Sequence, residues 1–275
     1  MSTTNIGVIA WPEGWAEHDR VLALAATLGQ DPTDARLAAR KEPPAIVHRM
    51  DARDAAECLR GLRGHGVRCF GATDTQIESM PAPRLARRLV AGEGRYTAEL
   101  WRESSPVTFR ATDVALIVRA KIRTQTRSVQ PESGSSIMMS TEIGAVSALH
   151  DYASGMSPRR TSSVRTSDLL DLHLMRGSSH ARLRINGDKF NFDILGMLKG
   201  FSDHENIEKL AMKLLADAPE ALVDTGFARF GMEIRSTQHA SVVGTKITRT
   251  RSNASPFEFY SAWCWLLHRA IMDGA

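Results

Sequence analysis

The side chains best able to do chemistry are a histidine and several carboxylates near the middle of the chain. His173 lies in the run LLDLHLM with Asp171 two residues before it, and strand alternation places both on one face. The segments Asp168–Asp171 and Asp188–Asp193 could pair across a hairpin. Asp171, His173 and Asp193 are therefore the candidate residues for an enzyme with an acid–base site between two modules.

Other catalytic and metal-binding patterns are missing from the sequence. The nine histidines show no HxH, HxxxH or HExxH spacing, and no GxSxG, GxxxxGK[ST] or GxGxxG occurs. The three cysteines, Cys58, Cys69 and Cys264, form no CxxC pair, and so small and odd a set is typical of reduced thiols. We therefore predict no assigned catalytic residue, no metal site and no cofactor.

One segment has the pattern of a regulatory site. Arg159 and Arg160 precede Thr161, Ser162 and Ser163, an arrangement that resembles the sites of kinases requiring basic residues upstream. Phosphorylation there would add about two negative charges per site beside two arginines. The alternative is a flexible serine-rich loop without a regulatory role.

The C-terminal stretch is rich in aromatic residues and has helical spacing after Pro256. Its apolar surface extends around the helix through Phe259, Trp263, Trp265 and Leu266, so the helix must be buried somewhere. It either docks on the core of this chain or forms an interface with a protein partner, a second copy included. A membrane surface is disfavoured, because Arg269 is the only basic residue of the helix.

Charge and hydropathy restrict the compartment and the partners. The net charge of +4 is distributed evenly along the sequence, which argues against nucleic-acid binding, although folding can gather scattered charges. The N-terminus lacks the charged and apolar blocks of a signal peptide. No apolar run approaches the roughly 20 residues that span a bilayer. We expect a cytoplasmic protein with no membrane partner.

The sequence pattern of residues 1–91 predicts a small module with both helices and strands. Strands are expected at Asn5–Ala10 and Val67–Gly71, and helices at Glu17–Leu28, after Asp31 and after Asp51, where aspartates can cap the helix N-termini. An arginine-rich helix is expected at Arg84–Val90.

This module resembles the C-terminal domain of the bacterial ribosomal stalk protein, a fold shared with the Clp protease adaptor. About forty residues carry the resemblance, at the positions Asp34, Ala35, Leu37, Pro44, Ile46, Val47, Ala55, Leu59, Leu62, Gly66 and Val67. It implies an αβ sandwich that binds protein partners. The lysine-rich factor-binding helix of that family has no counterpart, since the matching helix carries Arg36, Arg40 and Lys41 amid Asp31 and Asp34.

Residues 92–230 predict a second, β-rich module. Short strands, including Val114–Arg123 and a hairpin around Arg176 and Gly177, are followed by a helix capped by Ser202 and Glu205. This order of elements resembles a pleckstrin-homology-type domain. Residues 124–167 are rich in Ser, Thr and Gly and are expected to be a flexible insertion. Residues 231–275 would form a polar linker and the aromatic helix.

Together these patterns predict the α+β class: a small αβ sandwich, then a β-sandwich or barrel closed by a helix, then an aromatic C-terminal helix. The function expected is a non-enzymatic adaptor or scaffold that binds protein partners. Two alternatives stay open, namely the enzyme that uses Asp171, His173 and Asp193, and a ribosome- or RNA-associated factor.

Overall fold

The structure, a computed structural model, describes residues 2–130, 159–230, 237–243 and 246–274. Helices and mixed sheets both contribute strongly, which confirms the α+β class. Two sheets organise the chain, one of three strands and one of nine. The domain limits at residues 91 and 230 stay a prediction.

The first sheet holds the N-terminal part of the chain. Its strands are antiparallel in the order β2-β1-β3, with β1 at Thr3–Ala10, β2 at Ala45–Asp51 and β3 at Arg68–Thr73. Four helices accompany it: α1 at Glu17–Leu28, α2 at Pro32–Ala39, α3 at Ala52–Gly64 and α4 at Asp74–Glu78. The element order is therefore β-α-α-β-α-β, followed by the short α4.

The helix limits follow from local chemistry. Helix α1 ends where Gly29 takes a left-handed backbone conformation with φ of 59°, which a glycine adopts without steric cost. The Asp31 side chain accepts a hydrogen bond from the Thr33 backbone N–H at 2.8 Å and so caps α2. The apolar faces of α1, α2 and α3 then cover β1 and form a core with Ile6, Val8, Leu24, Leu62 and Cys69.

The larger sheet follows one path from β11 to β6, in the order β11-β12-β7-β8-β9-β4-β5-β6, with β10 on an edge of β7. Its strands are β4 at Arg84–Gly92, β5 at Arg95–Leu100, β6 at Val107–Arg110, β7 at Val114–Gln130, β8 at Arg159–Arg176, β9 at Ser179–Asn186, β10 at Leu222–Asp224, β11 at Thr237–Val243 and β12 at Lys246–Ser252. The predicted hairpin around Gly177 joins β8 to β9 and is confirmed.

The helix predicted at Arg84–Val90 is wrong, because this segment is strand β4. A β-bulge between Ala86 and Arg88 shifts the register against β5. Ala86 and Leu89 are consequently both buried although they stand three residues apart. This is the spacing of a helical face, and it explains why the pattern was misleading.

The prediction of a flexible insertion over 124–167 is also wrong at both ends. Strand β7 continues to Gln130 and β8 begins at Arg159, and the two pair along this whole length. The middle of the predicted insertion, 131–158, lies outside the described residues. We call the four paired segments 123–130, 159–167, 237–243 and 246–252 the sheet arm. None of its residues with a described side-chain environment is buried, so both faces meet solvent.

Three further helices lie in the described part of the chain: α5 at Asp203–Asp217, α6 at Phe227–Phe230 and α7 at Ala254–Met272. Helix α5 is capped by Ser202, whose hydroxyl accepts from the Glu205 backbone N–H at 3.1 Å. Its apolar residues Ile207, Leu210 and Leu214 pack on one face of the larger sheet.

Helix α7 lies between the two sheets. Its Trp263 ring lies 5.6 Å from the ring of Phe70 on β3, and the same core contains Leu116 and Val118 of β7. At Gly7 on β1 a Cβ atom would lie 2.5 Å from a ring carbon of Phe70 and 3.3 Å from the Trp263 ring. A glycine is therefore required where β1, β3 and α7 approach one another. No helix in the described ranges has the length and apolarity needed to cross a bilayer.

Candidate functional site

The β8–β9 hairpin gathers polar side chains on the sheet face that α7 covers. Its register sets Asp171 opposite Arg184, His173 opposite Arg182 and Met175 opposite His180. Directly opposite residues of an antiparallel pair share one face. Helix α7 faces this row with Glu258, Ser261 and Trp265, which are spaced three and four residues apart and so share one side of the helix.

Two arginines and two carboxylates form a closed ion-pair network in this cluster. Arg184 donates to Asp171 from Nε at 2.6 Å and from Nη2 at 2.7 Å, and Arg182 donates to the same carboxylate at 2.8 Å. Each arginine also donates to Glu258 at 2.7 Å. The Asp171 side chain is 0% exposed and that of Arg182 is 2% exposed, whereas Glu258, which links the network to the helix, is 42% exposed.

A second chain of hydrogen bonds runs through His173. Its Nε2 lies 3.0 Å from the Ser261 Oγ, and its Nδ1 lies 3.0 Å from the His180 Nε2. The His180 ring stacks on Trp265 with centroids 4.1 Å apart and an interplanar angle of 5°. A serine, a histidine and a third orienting group are the parts of a nucleophilic relay.

The protonation states follow from burial. Burial alone would raise the pKa of Asp171, but Arg184 and then Arg182 hold that pKa below its usual value. Burial, with repulsion from Arg182, keeps the pKa of His173 well below the ordinary range. The pKa of His180 is lowered to about 4 by burial and by the charges of Arg182 and Arg269. Both histidines are therefore neutral at pH 7.

The chemistry of this cluster is closed to substrates. Ser261 and His173 are both 0% exposed, and neither lines either of the two surface pockets described. The Asp171 carboxylate is occupied by arginines, so it does not orient His173 as a general base would require. The arrangement positions α7 on the sheet, and nothing in it brings a reacting group to solvent.

The structure brings Asp171 and His173 together but places Asp193 elsewhere. Asp193 begins a short 3-10 segment, Asp193–Leu198, and its exposed side chain pairs with Lys199 at 3.2 Å. The site proposed from these three residues is therefore not assembled. Sequence reasoning missed Arg182, Arg184 and Ser261, although the alternating HARLR of β9 was a signal for the first two.

The interface candidates of the aromatic helix lie in the core of the chain. Trp263 is 0% and Trp265 is 4% exposed, so neither is available to a partner while α7 is docked. Phe259 and Leu266 are half-buried against the same core, and their role at an interface stays a prediction.

The phosphorylation candidates are exposed on strand β8. Thr161 stands opposite Ser128, Ser162 opposite Arg127 and Ser163 opposite Thr126. Strand alternation sets Ser162 on one face of the sheet arm, and Thr161 and Ser163 on the other. Whether any of them is modified stays a prediction.

An exposed apolar loop lies between the larger sheet and α5. In residues 196–201, the Met197 and Phe201 side chains are as exposed as in an extended chain, at 104% and 108%, and Leu198 is 65% exposed. We call these three residues the apolar loop. Clusters of exposed apolar side chains mark binding surfaces more often than single ones do.

The backbone of this loop is held in place. The buried Asn206 side chain accepts from the Gly200 backbone N–H at 2.6 Å and donates to the Gly200 carbonyl at 3.3 Å. The Phe201 backbone N–H donates to Glu205 at 3.2 Å. The backbone is thus held at Gly200 and Phe201, and this lowers the entropy lost when a partner binds Phe201.

Within the described ranges, no three His, Cys, Asp or Glu side chains lie close enough to hold a metal ion. Comparison of the chain with protein-family models, with curated proteins and with solved structures finds no significant match.

Proposed function

We propose that the chain is a non-enzymatic adaptor that binds a protein partner through the apolar loop. The observation that carries this proposal is the full exposure of Met197 and Phe201 in a segment that Asn206 holds at Gly200. Aromatic and methionine side chains are enriched at the centres of protein interfaces, where they fill pockets of the partner.

The charges near the apolar loop favour a protein over a membrane surface. The two lysines beside it are already paired, Lys199 with Asp193 and Lys209 with Glu205 at 2.6 Å. A peripheral membrane site needs basic residues that attract anionic lipids. Here the carboxylates oppose that attraction, whereas a polar rim around an apolar centre is common in protein interfaces.

Two further features support an adaptor. The sequence of the first module resembles the ribosomal stalk domain and the Clp adaptor, whose fold binds protein partners. The catalytic alternative loses support, because Asp193 lies apart from Asp171 and His173. We also propose the cytoplasm as the compartment, since Cys58, Cys69 and Cys264 are free and buried.

Site-specific crosslinking tests the adaptor proposal. A photoreactive phenylalanine analogue replaces Phe201 in the full chain, expressed in the cells from which the protein comes. The matched control places the same analogue at Leu22, which is 55% exposed on α1. We expect one abundant protein adduct from position 201 that is absent from position 22.

The partner must also depend on the apolar side chains. The variant Met197→Ser/Phe201→Ser should lose co-purification of the crosslinked protein while its melting temperature stays that of the parent chain. An adduct of twice the mass of the chain would identify a second copy as the partner. Equal adducts from both positions, or none from position 201, would refute the proposal.

A further inference from the structure

The sheet arm concentrates positive charge that is scattered in sequence. Its four segments contain eight Lys or Arg residues and no Asp or Glu. The remainder of the chain then holds 27 basic and 31 acidic residues, so the positive net charge of the protein resides in the arm. Such an asymmetry directs polyanions to one part of a molecule.

Strand register places five of these residues on one face. Arg127 stands opposite Arg249 on β12. Two residues further along the strands, Gln125 stands opposite Arg251 on the same face. Because alternate residues of a strand share a face, Arg123 lies on this side too. Arg160, opposite Val129, completes the set. We call Arg123, Arg127, Arg160, Arg249 and Arg251 the arginine face.

The arrangement is unfavourable for folding alone. Like charges directly opposite each other destabilise a sheet, and Arg127 and Arg249 are such a pair. In the described part of the chain, Arg123, Arg127 and Arg249 make no ion pair with a carboxylate. An external anion would remove the repulsion and complete the site.

The opposite face of the arm has a different chemistry. It carries hydroxyls that pair across the strands, Thr124 with Ser252 at 3.1 Å and Ser128 with Thr248 at 3.2 Å. Its Arg165 is paired with Asp188. Arg159 and Lys246 also belong to this face by register, so the arm's eight basic residues divide into five on the arginine face and three on the opposite face, where Arg165 is already paired.

The dimensions suit an extended polyanion. The backbone spans about 13 Å from Arg123 to Arg127, and β12 lies about 4.8 Å from β7. Guanidinium groups bind phosphate oxygens in a forked geometry, and all five basic residues of the arginine face are arginines. A β-ribbon or a small sheet fits against a nucleic-acid groove and its two phosphate rows.

The residues that accompany the arginines distinguish the ligand classes. No Phe, Tyr or Trp occurs in the four arm segments. Single-stranded nucleic acids are held largely by stacking on aromatic rings, and peripheral membrane surfaces use Trp, Phe and Leu. Double helices need only their phosphate backbones to be contacted.

We propose that the arginine face binds the phosphate backbone of double-helical nucleic acid without reading its sequence. This function uses a surface distinct from the apolar loop and goes beyond the adaptor role. Recognition through phosphates alone predicts affinity that is similar for different sequences and falls steeply with salt.

Fluorescence anisotropy with the full chain tests this proposal. The probes are a 24-base-pair DNA duplex, an RNA duplex of the same length, an unstructured 24-nucleotide oligothymidine and vesicles containing one third phosphatidylserine. We expect at least one duplex to bind with a Kd that rises steeply from 50 to 200 mM salt. Comparison of the Kd values of the two duplexes shows whether the protein prefers the backbone of DNA or that of RNA.

Matched variants locate the contact. Arg127→Gln/Arg249→Gln should weaken duplex binding by at least roughly tenfold and reduce the slope of log Kd against log salt by about two units. Arg165→Gln, on the opposite face of the same arm, should change the Kd by less than about twofold. Melting temperatures of the variants monitor folding, and that of the double variant should not fall, because the substitutions remove a repulsion.

Several results would overturn the proposal. One is no duplex binding by the parent chain at 50 mM salt. Others are an equal loss with Arg165→Gln, tighter binding of oligothymidine than of either duplex, or binding of vesicles alone. None of these outcomes depends on the apolar loop, so the adaptor proposal can fail or stand separately.

Discussion

Asp171 shows how the polar residues of this protein depend on one another. Its buried carboxylate accepts hydrogen bonds from Arg182 and Arg184, and Glu258 of α7 accepts from both arginines. Removing one partner of a buried ion pair leaves an uncompensated charge inside the protein. The network therefore stabilises the fold only when it is complete.

Substitution of Asp171 should therefore be severe. We expect Asp171→Ala to lower the free energy of unfolding by about 3–5 kcal/mol, because Arg182 would stay buried with a partner missing. Asp193→Ala is the matched control, since its carboxylate is exposed and should matter little. Urea denaturation measures both, and equal losses would contradict the structural role assigned to Asp171.

The two neutral histidines predict a pH dependence of stability. In the unfolded chain they bind protons near pH 6.5, whereas in the folded chain the pKa of His180 is about 4 and that of His173 is also well below its ordinary value. Between these pH values the unfolded state binds more protons. The free energy of unfolding should therefore be highest above pH 6.5 and fall as the pH decreases toward 4.

Thermal melting at a series of pH values checks this expectation. His180→Gln should give a shallower decrease of melting temperature between pH 6.5 and 4 than the parent chain. His18→Gln, at an exposed position of α1, should keep the original dependence. An unchanged slope in His180→Gln would show that other groups dominate.

At the scale of elements, the sheet arm links the predicted phosphorylation segment to the arginine face. Ser162 lies on that face opposite Arg127, whereas Ser163 lies on the other face opposite Thr126. A negative charge at Ser162 would neutralise the arginine beside it and repel phosphate.

The variant Ser162→Asp should accordingly weaken duplex binding by roughly tenfold, by analogy with loss of one to two phosphate contacts. Ser163→Asp is the control and should bind nearly as the parent chain does, because its carboxylate points away from the arginine face. Anisotropy titrations at one salt concentration compare the three proteins. An equal effect of both substitutions would show that duplex binding does not depend on which face of the sheet arm carries the added charge.

The elements that could be predicted are those with one buried face. Helix Glu17–Leu28 and the β8–β9 hairpin follow from apolar spacing and from Gly177, and both are confirmed. The parts of the sheet arm in β7 and β8 escaped prediction because Ser, Thr and Arg occupy both of their faces and leave no clear hydrophobic alternation.

The polar cluster could be predicted only in part. The hairpin turn at Gly177 fixes which residues of β8 and β9 are opposite, so Asp171, Arg184, His173 and Arg182 could be matched from sequence. The contribution of Glu258 and Ser261 could not, because the docking of α7 on this face depends on contacts between elements far apart in the chain.

At the scale of the whole molecule, one core joins the two sheets. It contains Phe70 and Ile77 from the first sheet and its helix α4, Leu116 and Val118 from the larger sheet, and Trp263 from α7 between them. Exposing the apolar side chains that either sheet contributes to this core would cost free energy. The two sheets are thus coupled through α7.

We therefore expect the parent chain to unfold in a single cooperative transition, with a calorimetric enthalpy equal to the van't Hoff enthalpy. Trp263→Ala should lower the free energy of unfolding by about 3–5 kcal/mol and separate the transition into two. Differential scanning calorimetry measures both quantities. Two transitions in the parent chain would contradict the coupling.

The position of α7 in the chain also has a consequence during synthesis. Strand β3 ends at Thr73, and the helix that covers it begins at Ala254. At about 5–20 residues per second, the ribosome needs on the order of 10–35 s to make the intervening chain. For that time Phe70 and its neighbours have no native cover, so the nascent protein presents an apolar surface that a chaperone must shield or that stays exposed until translation reaches Trp263.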